Sequence, residues 1–346
     1  MHVQELIEKS EQGTCLDRSE AEFLYGTALG SKEANLLVKA AYDLSQKSSG
    51  GTAQLHAQIG LDASPCERDC LFCSFASRSG LRIGVFELDV DQAVEMAVES
   101  VESGANLVLF LTTANFDFDK LLDVVQHTRA ALGPEYPVLV STDDFTYEQA
   151  LQLKEAGCNG TYCALRLDEG VYTNIAAGTR KSTIENTHAA GLKHCTCLDP
   201  IGPEHTPADL ADRTMYILES NPVFGGAWRR QMVPGSKHQL PMIGEEQWAL
   251  YTAIFKIVTA DRFSHTATLA SETTALAGAN LVWAEIGTNP RDSKIDTENG
   301  LGLSIERAKK LCAESGWEIL QGPATEWMEP YAGPVNSALV THGRGA

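Results

Sequence analysis

The stretch Thr146-Tyr147-Glu148-Gln149-Ala150-Leu151-Gln152-Leu153-Lys154-Glu155-Ala156-Gly157-Cys158-Asn159-Gly160-Thr161-Tyr162-Cys163-Ala164-Leu165-Arg166-Leu167 carries one complete change of period. Its first part places apolar residues at helical spacing, which predicts a helix over 146–156. Gly157 then supplies the left-handed turn that stops a helix. A short, largely apolar run follows and predicts a strand over 159–167. The same stop recurs at Ser103-Gly104, Ala190-Gly191 and Ala277-Gly278. Working outward, strands are expected near 53–60, 105–112, 137–142, 159–167, 192–199, 226–234, 262–268 and 279–286. Helices are expected near 90–103, 117–132, 146–156, 181–190, 206–219, 244–259, 271–277 and 303–315. Eight alternating strand–helix units predict an α/β chain folded as a (β/α)8 TIM-type barrel. Leu36, Leu37, Ala40, Ala41 and Leu44 lie at helical spacing before it, and Ser48-Ser49-Gly50-Gly51 ends that pattern. The expected organisation is a helical N-terminal extension over 1–50, the barrel over 51–325 and a C-terminal tail over 326–346.

A chain of 346 residues suits one such barrel, and 43% hydrophobic with 21% charged residues is a globular composition with a sizeable core. The formal net charge of −19 argues against a polyanionic partner, so nucleic acid is not expected. No run approaches ~18 uninterrupted apolar residues, the length that would span a membrane. The opening Met1-His2-Val3-Gln4-Glu5 lacks the apolar core of a secretory signal, and a cytoplasmic location is expected. There are nine cysteines, an odd number. In a reducing compartment they read as metal ligands or buried thiols, not as a disulfide framework.

Three of them stand close together in Ser64-Pro65-Cys66-Glu67-Arg68-Asp69-Cys70-Leu71-Phe72-Cys73, just after the first predicted strand. The C-terminal end of a barrel strand is where such folds place their chemistry. Thiolates are the soft ligands of iron–sulfur clusters. Three cysteines without a nearby histidine leave one iron of a 4Fe–4S cluster open, able to bind the amino and carboxylate groups of S-adenosylmethionine. A zinc site completed by a distant Cys or His is the other reading, because closed structural zinc needs four ligands.

The C-x3-C-x2-C spacing with Phe72 before its last cysteine resembles the signature of the radical S-adenosylmethionine superfamily. The order of elements is similar to its biotin synthase-like branch, which includes biotin synthase, 3-methylornithine synthase, the hydrogenase-maturation radical enzyme and a biotin-synthase-like lipoyl synthase. The likeness is best carried by Leu165-Arg166-Leu167-Asp168-Glu169, Tyr172-Thr173-Asn174-Ile175, Thr179-Arg180, Ala190-Gly191-Leu192-Lys193, Pro200-Ile201-Gly202-Pro203-Glu204 and Val233-Pro234-Gly235-Ser236. The resemblance implies cluster ligands at Cys66, Cys70 and Cys73. It puts Arg180 where the family pairs an arginine with the cofactor carboxylate, chemistry that a guanidinium fork suits. Phe72, Thr112, Thr113, Arg166 and Asp168 are expected at the cofactor. Thr112 and Thr113 replace the Gly-Gly-Glu-like segment common in the superfamily. Arg166 and Asp168, two apart on one strand, are expected to face inward together; a structural ion pair is the other reading.

One departure bears on the reaction. Of the positions where biotin synthase holds its second cluster, only Cys195 matches a cysteine, while Phe110 and Leu139 fall at two others. Cys195-Thr196-Cys197 instead puts two thiols on one face of the fifth predicted strand, followed by Asp199. The three residues are candidate catalytic groups: the thiols could hold an auxiliary iron–sulfur cluster that donates sulfur, hold a substrate, or be small buried hydrophobes. Trp228-Arg229-Arg230-Gln231 is expected to send one arginine inward, and His265, Thr268, Glu285 and Asn289-Pro290-Arg291-Asp292 lie at later strand ends. The resemblance implies a small-molecule substrate, a reductant such as flavodoxin or ferredoxin, and room for a partner enzyme. The expected function is reductive cleavage of S-adenosylmethionine and hydrogen abstraction in the biosynthesis of a cofactor or unusual amino acid. Sulfur insertion is the first reading; carbon-skeleton rearrangement and metallocofactor maturation are the alternatives, and a non-catalytic metal-binding barrel is the reading from another class.

Overall fold

The computed structural model describes residues 1–81, 84–269 and 271–329. Three helices open the chain: α1 (Val3–Glu11), α2 (Arg18–Tyr25) and α3 (Lys32–Ser49). They pack on the later helices α8 (Pro207–Glu219) and α9 (Glu245–Thr259). The first barrel strand is β1 (Thr52–Gly60); a two-residue ladder, β2 (Asp62–Ala63) with β3 (Phe86–Glu87), then brackets the cysteine loop. The remaining units are α4 (Val90–Glu102), β4 (Leu107–Leu111), α5 (Phe118–Leu132), β5 (Val138–Ser141), α6 (Tyr147–Glu155), β6 (Gly160–Tyr162), α7 (Ala177–Ala189), β7 (Lys193–Cys195), β8 (Leu198–Ile201), α8, β9 (Gly225–Arg229), α9, β10 (Thr266–Thr268), α10 (Glu272–Ala275), β11 (Leu281–Gly287), α11 (Ile305–Glu314) and β12 (Glu318–Ile319). The opening stretch of the sequence reading behaves as expected. Thr146 and Gln149 cap α6 reciprocally, and Gly157 takes φ +100° behind it.

The large sheet is parallel in the order β7-β6-β5-β4-β1-β11-β10-β9-β8, with β12 beside the start of β1. β1 lies between β4 and β11, so first and last strands join as a barrel requires. The fifth predicted strand is broken at Thr196-Cys197. Its first half, β7, pairs with β6, and its second half, β8, pairs with β9.

Alternation along the strands sorts side chains between bore and helices. On β1, Ile59 meets Ala93 and Ala97 of α4, and Leu55 meets Ala308 and Leu311 of α11. Gln54, His56 and Gln58 face the bore. His56 sits edge-on to Trp283, with ring centroids 5.0 Å apart, and to Phe224 at 5.5 Å. Tyr162 stacks on Trp228 at 5.9 Å one layer higher. At the base, Trp327 packs on Phe224, and Gln54 donates to Glu326 at 2.6 Å. The lower bore is thus filled with side chains, leaving the top for chemistry. Residues 326–329 contribute to that base, and 330–346 of the expected tail lie outside the described residues. No described helix is long and apolar enough to cross a membrane.

Candidate active site

The cysteine loop leaves β2 and is tied down on every side by backbone groups. Leu71 N–H bonds to Tyr172 O at 2.9 Å, Asn174 N–H to Arg68 O at 2.7 Å, and Ser74 N–H to Pro290 O at 2.7 Å. Asn115 Nδ2 donates to Pro65 O at 2.6 Å. Arg68 forks onto Asp143, with Nε 2.9 Å from Oδ1 and Nη2 2.5 Å from Oδ2. The loop therefore touches the ends of β4, β5, β6 and β11 at once.

Cys66 is buried, and Cys70 and Cys73 are partly exposed. Burial raises the Cys70 thiol, with Arg166 and Arg180 opposing, and pushes Cys73 up to about 12. Among the described residues, the group that brings three candidate ligand atoms within 4.8 Å of one another is Asp168, Glu204 and His205; the three thiols stand wider apart. One zinc ion with Zn–S bonds of ~2.3 Å would draw its sulfurs to about 3.8 Å. A cubane binds each thiolate at a different corner iron and needs the wider spacing. Three thiols with no fourth ligand grouped with them among the described residues fit a 4Fe–4S cluster with one open iron better than a closed zinc site, which needs four ligands.

Around the loop, buried polar atoms converge without hydrogen-bond partners. They include Arg166 Nη1, Arg180 Nε, Asp199 Oδ1, Arg291 Nε and Gln58 Nε2. Arg166 lies over the Phe72 ring at 5.7 Å. Burial depresses its guanidinium pKa, but Cys70, Glu169, Asp199 and Tyr162 more than compensate, and the net shift is upward. Arg180 is 7% exposed and holds Asp144 at 3.2 Å, with Glu169 Oε2 3.9 Å from its Nε. Below them, Asp199 is pushed up to about 6 by burial, against the pull of Arg166. Arg291 pairs with Glu285, lies over the Trp228 ring at 5.8 Å, and falls to about 10 through burial. The arrangement is a polar cluster beside the cysteine loop, with the guanidiniums of Arg166, Arg180 and Arg291, the carboxylates of Asp144, Glu169, Asp199 and Glu285, and the Tyr162 phenol.

The expected site residues divide. Cys66, Cys70, Cys73, Phe72, Arg166, Arg180 and Asp199 meet at this polar cluster. Thr113 turns away from it: its N–H and Oγ1 donate to Asp62 at 2.7 and 2.5 Å, and burial raises that carboxyl. Thr112 donates to Thr142 at 2.8 Å. Asp168 does not share a strand face with Arg166. The ladder stops at Tyr162, Ala164–Arg166 loop out before Leu167 N–H returns to Asp199 O at 2.8 Å, and Asp168 takes φ +55°. Its carboxylate goes to His205 at 3.0 Å. Cys195 and Cys197 are both fully buried, and burial raises both thiols well above their ordinary value. Cys195 Sγ lies 3.7 Å from Thr161 O, while Cys197 stands by Tyr162 and Asp199.

Arg230 turns inward to Glu204 as alternation required, and Arg229 turns out over Trp248 of α9. His265 meets Thr52 at the other end of the barrel, and Thr268 bonds Thr274 on the helix side. Asp143, Asp144, Tyr162 and His205 were not singled out from sequence. Two adjacent acids at the end of the third predicted strand were the available signal for the first pair.

No family model matches the chain. A search of characterised proteins finds biotin synthases: 26% identity over 204 residues with that of Clostridium tetani, covering 56% of this chain and 62% of the relative. The biotin synthase of Corynebacterium jeikeium is 24% identical over 208 residues, 58% of each. The chain thus spans about three fifths of the length of these relatives. Among solved structures, methylornithine synthase superposes with a TM-score of 0.73 at 15% identity, covering 93% of this chain and 98% of that one. The FeFe-hydrogenase maturase HydG from Carboxydothermus hydrogenoformans superposes at 0.75 and 15% identity, covering 93% and 80%.

Proposed function

This chain is similar to the biotin synthase-like branch of the radical S-adenosylmethionine enzymes, and on that premise we propose that it cleaves S-adenosylmethionine reductively and abstracts hydrogen from a small polar substrate. One observation carries the reading: three thiols on a pinned loop lie beside buried guanidiniums and carboxylates, several of whose polar atoms make no hydrogen bond. Cys66, Cys70 and Cys73 would hold a 4Fe–4S cluster, whose chemistry with S-adenosylmethionine is to supply a 5′-deoxyadenosyl radical. Arg180 would pair with the cofactor carboxylate through its Nε, which makes no hydrogen bond and has Glu169 as its ion-pair neighbour. Phe72 and Arg166 would wall the cofactor, and Thr113, through Asp62, would hold the loop's first turn. Asp199, Tyr162 and Arg291 would grip the substrate deeper in the bore.

The reaction class we favour uses one cluster and rearranges or fragments the substrate skeleton. Cys195 and Cys197 supply two thiols, short of the ligand set of a cubane, and they lie against Thr161 O and beside Tyr162 and Asp199. Sulfur insertion, the first reading from the sequence, becomes the second, carried by the same two cysteines. A flavodoxin- or ferredoxin-type reductant would supply the electron, and a cytoplasmic setting would suit both cluster and thiols.

The test is anaerobic reconstitution with iron and sulfide, then S-adenosylmethionine with dithionite. Release of 5′-deoxyadenosine supports the reading; a colourless protein that binds one zinc and releases none rejects it. Iron near four per chain fits one cluster, whereas a substantially higher content lost in Cys195→Ser/Cys197→Ser turns the reaction toward sulfur insertion.

A further inference from the structure

The break in the fifth predicted strand separates the two thiols of Cys195-Thr196-Cys197. Cys195 stays in the ladder, registered against Tyr162. Cys197 lies in the gap between β7 and β8 and is fully buried. Its sulfur stands among Asp199, Cys195, Tyr162 and Arg291.

Those neighbours tie the Cys197 thiol to the cysteine loop. Arg291 lies within electrostatic reach of Cys197 and of Cys73 at once. Arg166 stands in the same way between Tyr162 and Cys70. Two buried polar groups of this part of the bore make no hydrogen bond. One is Tyr162 Oη, beside the thiol; the other is Nε2 of Gln58, a side chain 8% exposed on β1. Gln58 is registered beside Glu285, whose carboxylate holds Arg291. Leaving an amide donor buried without a partner is costly, which marks this space for a polar ligand.

An S–H bond is weaker than the C–H bonds of ordinary carbon centres, so a thiol gives a hydrogen atom readily to a carbon radical. Burial raises the Cys197 thiol well above its ordinary value, so it meets a radical as S–H unless a metal ion has taken the proton's place.

We infer that Cys197 is a catalytic hydrogen-atom donor, whose S–H quenches the carbon radical left in the bore once the substrate skeleton has changed. This rests on the radical-enzyme reading. The product C–H bond forms as the S–H bond breaks, and the sulfur is left as a thiyl radical. One electron from the flavodoxin- or ferredoxin-type reductant and one proton from water restore the thiol. Each turnover then takes two electrons, one to cleave S-adenosylmethionine and one for the thiyl, and S-adenosylmethionine is consumed.

The test needs no substrate. Protein reconstituted in D2O, so that buried thiols exchange, is given S-adenosylmethionine and dithionite without added thiol. The deoxyadenosyl radical then stands in for the substrate radical, and D2O itself holds its deuterium too tightly to yield it. The released 5′-deoxyadenosine should carry one deuterium by mass spectrometry. In Cys197→Ser loaded with as much iron as the wild type, the label should fall to background in whatever is released. Cys158→Ser, which removes a buried thiol between the sheet and its helices, should keep the label. A nitrone spin trap added to the wild-type reaction should be found on the Cys197 peptide. Unlabelled product from the wild type, or a label that survives in Cys197→Ser, overturns the inference. Should that variant release nothing, the peptide map decides, and no nitrone on Cys197 overturns it. Cys197→Ala replaces the serine variant if that one loses its iron; loss in both would make Cys197 a cluster ligand and overturn the inference too. A wild type that releases no 5′-deoxyadenosine rejects the radical reading instead.

Discussion

Arg180 Nη1 lies 3.2 Å from Asp144 Oδ1, and both side chains are less than one-tenth exposed. Thr183 Oγ1 donates to the same oxygen at 2.7 Å. Removing the arginine alone would strand a buried carboxylate, which typically costs about 3–5 kcal/mol. Arg180→Ala is therefore expected to lower the melting temperature as well as the affinity for S-adenosylmethionine. Arg180→Gln with Asp144→Asn should recover most of the stability but not the affinity. Thermal unfolding and calorimetry on the same preparations check this; restored binding in the double variant would take Arg180 out of the cofactor site.

The three loop cysteines should behave as a set. Cys66→Ala, Cys70→Ala and Cys73→Ala should each abolish the brown absorbance and 5′-deoxyadenosine release. Far-ultraviolet circular dichroism should stay that of the wild type, because the loop is anchored by Tyr172, Asn174, Pro290 and Asn115, not by its thiols. Full activity in any one of them would show that its thiol is not a ligand.

Asp199 gives a pH signature. Its folded pKa of about 6 lies above its ordinary value because burial disfavours the charge. Between about pH 4 and 6 the native state binds more protons than the unfolded chain, so this residue's contribution to stability declines as pH rises through that window. Asp199→Asn should flatten the decline. Its melting-temperature advantage over the wild type should grow from pH 5 to pH 7, although substrate turnover is lost. An advantage independent of pH would place the carboxyl in a solvated setting.

Gly202 is required by its neighbour. A Cβ there would collide with the Arg230 guanidinium, which crosses the glycine to reach Glu204. Gly202→Ala should push Arg230 off Glu204 and lower the melting temperature. Gly244→Ala, where a Cβ meets nothing within 4 Å, serves as the control and should change little. Equal effects from the two would mean that the Arg230 crossing is not rigid.

The barrel was legible because its signals are local. Gly104, Gly157, Gly191 and Gly278 each take positive φ behind a helix, and the apolar runs they introduce became β4, β6, β7 and β11. The cysteine motif was legible for the same reason, three thiols within eight residues. What escaped depends on distant pairs. Arg180 with Asp144, Arg68 with Asp143 and His205 with Asp168 join residues 36 to 75 positions apart, which no periodicity encodes. Asp168 was misplaced because alternation was carried past Tyr162, where the ladder ends and a left-handed residue resets the direction of the side chain.

The anchored cysteine loop also bears on how the protein would acquire iron. Five backbone and side-chain ties, the Arg68–Asp143 fork among them, hold residues 65–74 in place through protein groups alone. The ordering entropy of that segment, roughly 1–2 kcal/mol per residue of backbone, is then spent during folding and not at metallation. Assembly of a cluster on such a loop resembles the filling of a rigid chelator. Its rate would be set by delivery of iron and sulfide through the partly exposed Cys70 and Cys73, and a chelator could strip the metal while leaving a folded barrel ready to be loaded again.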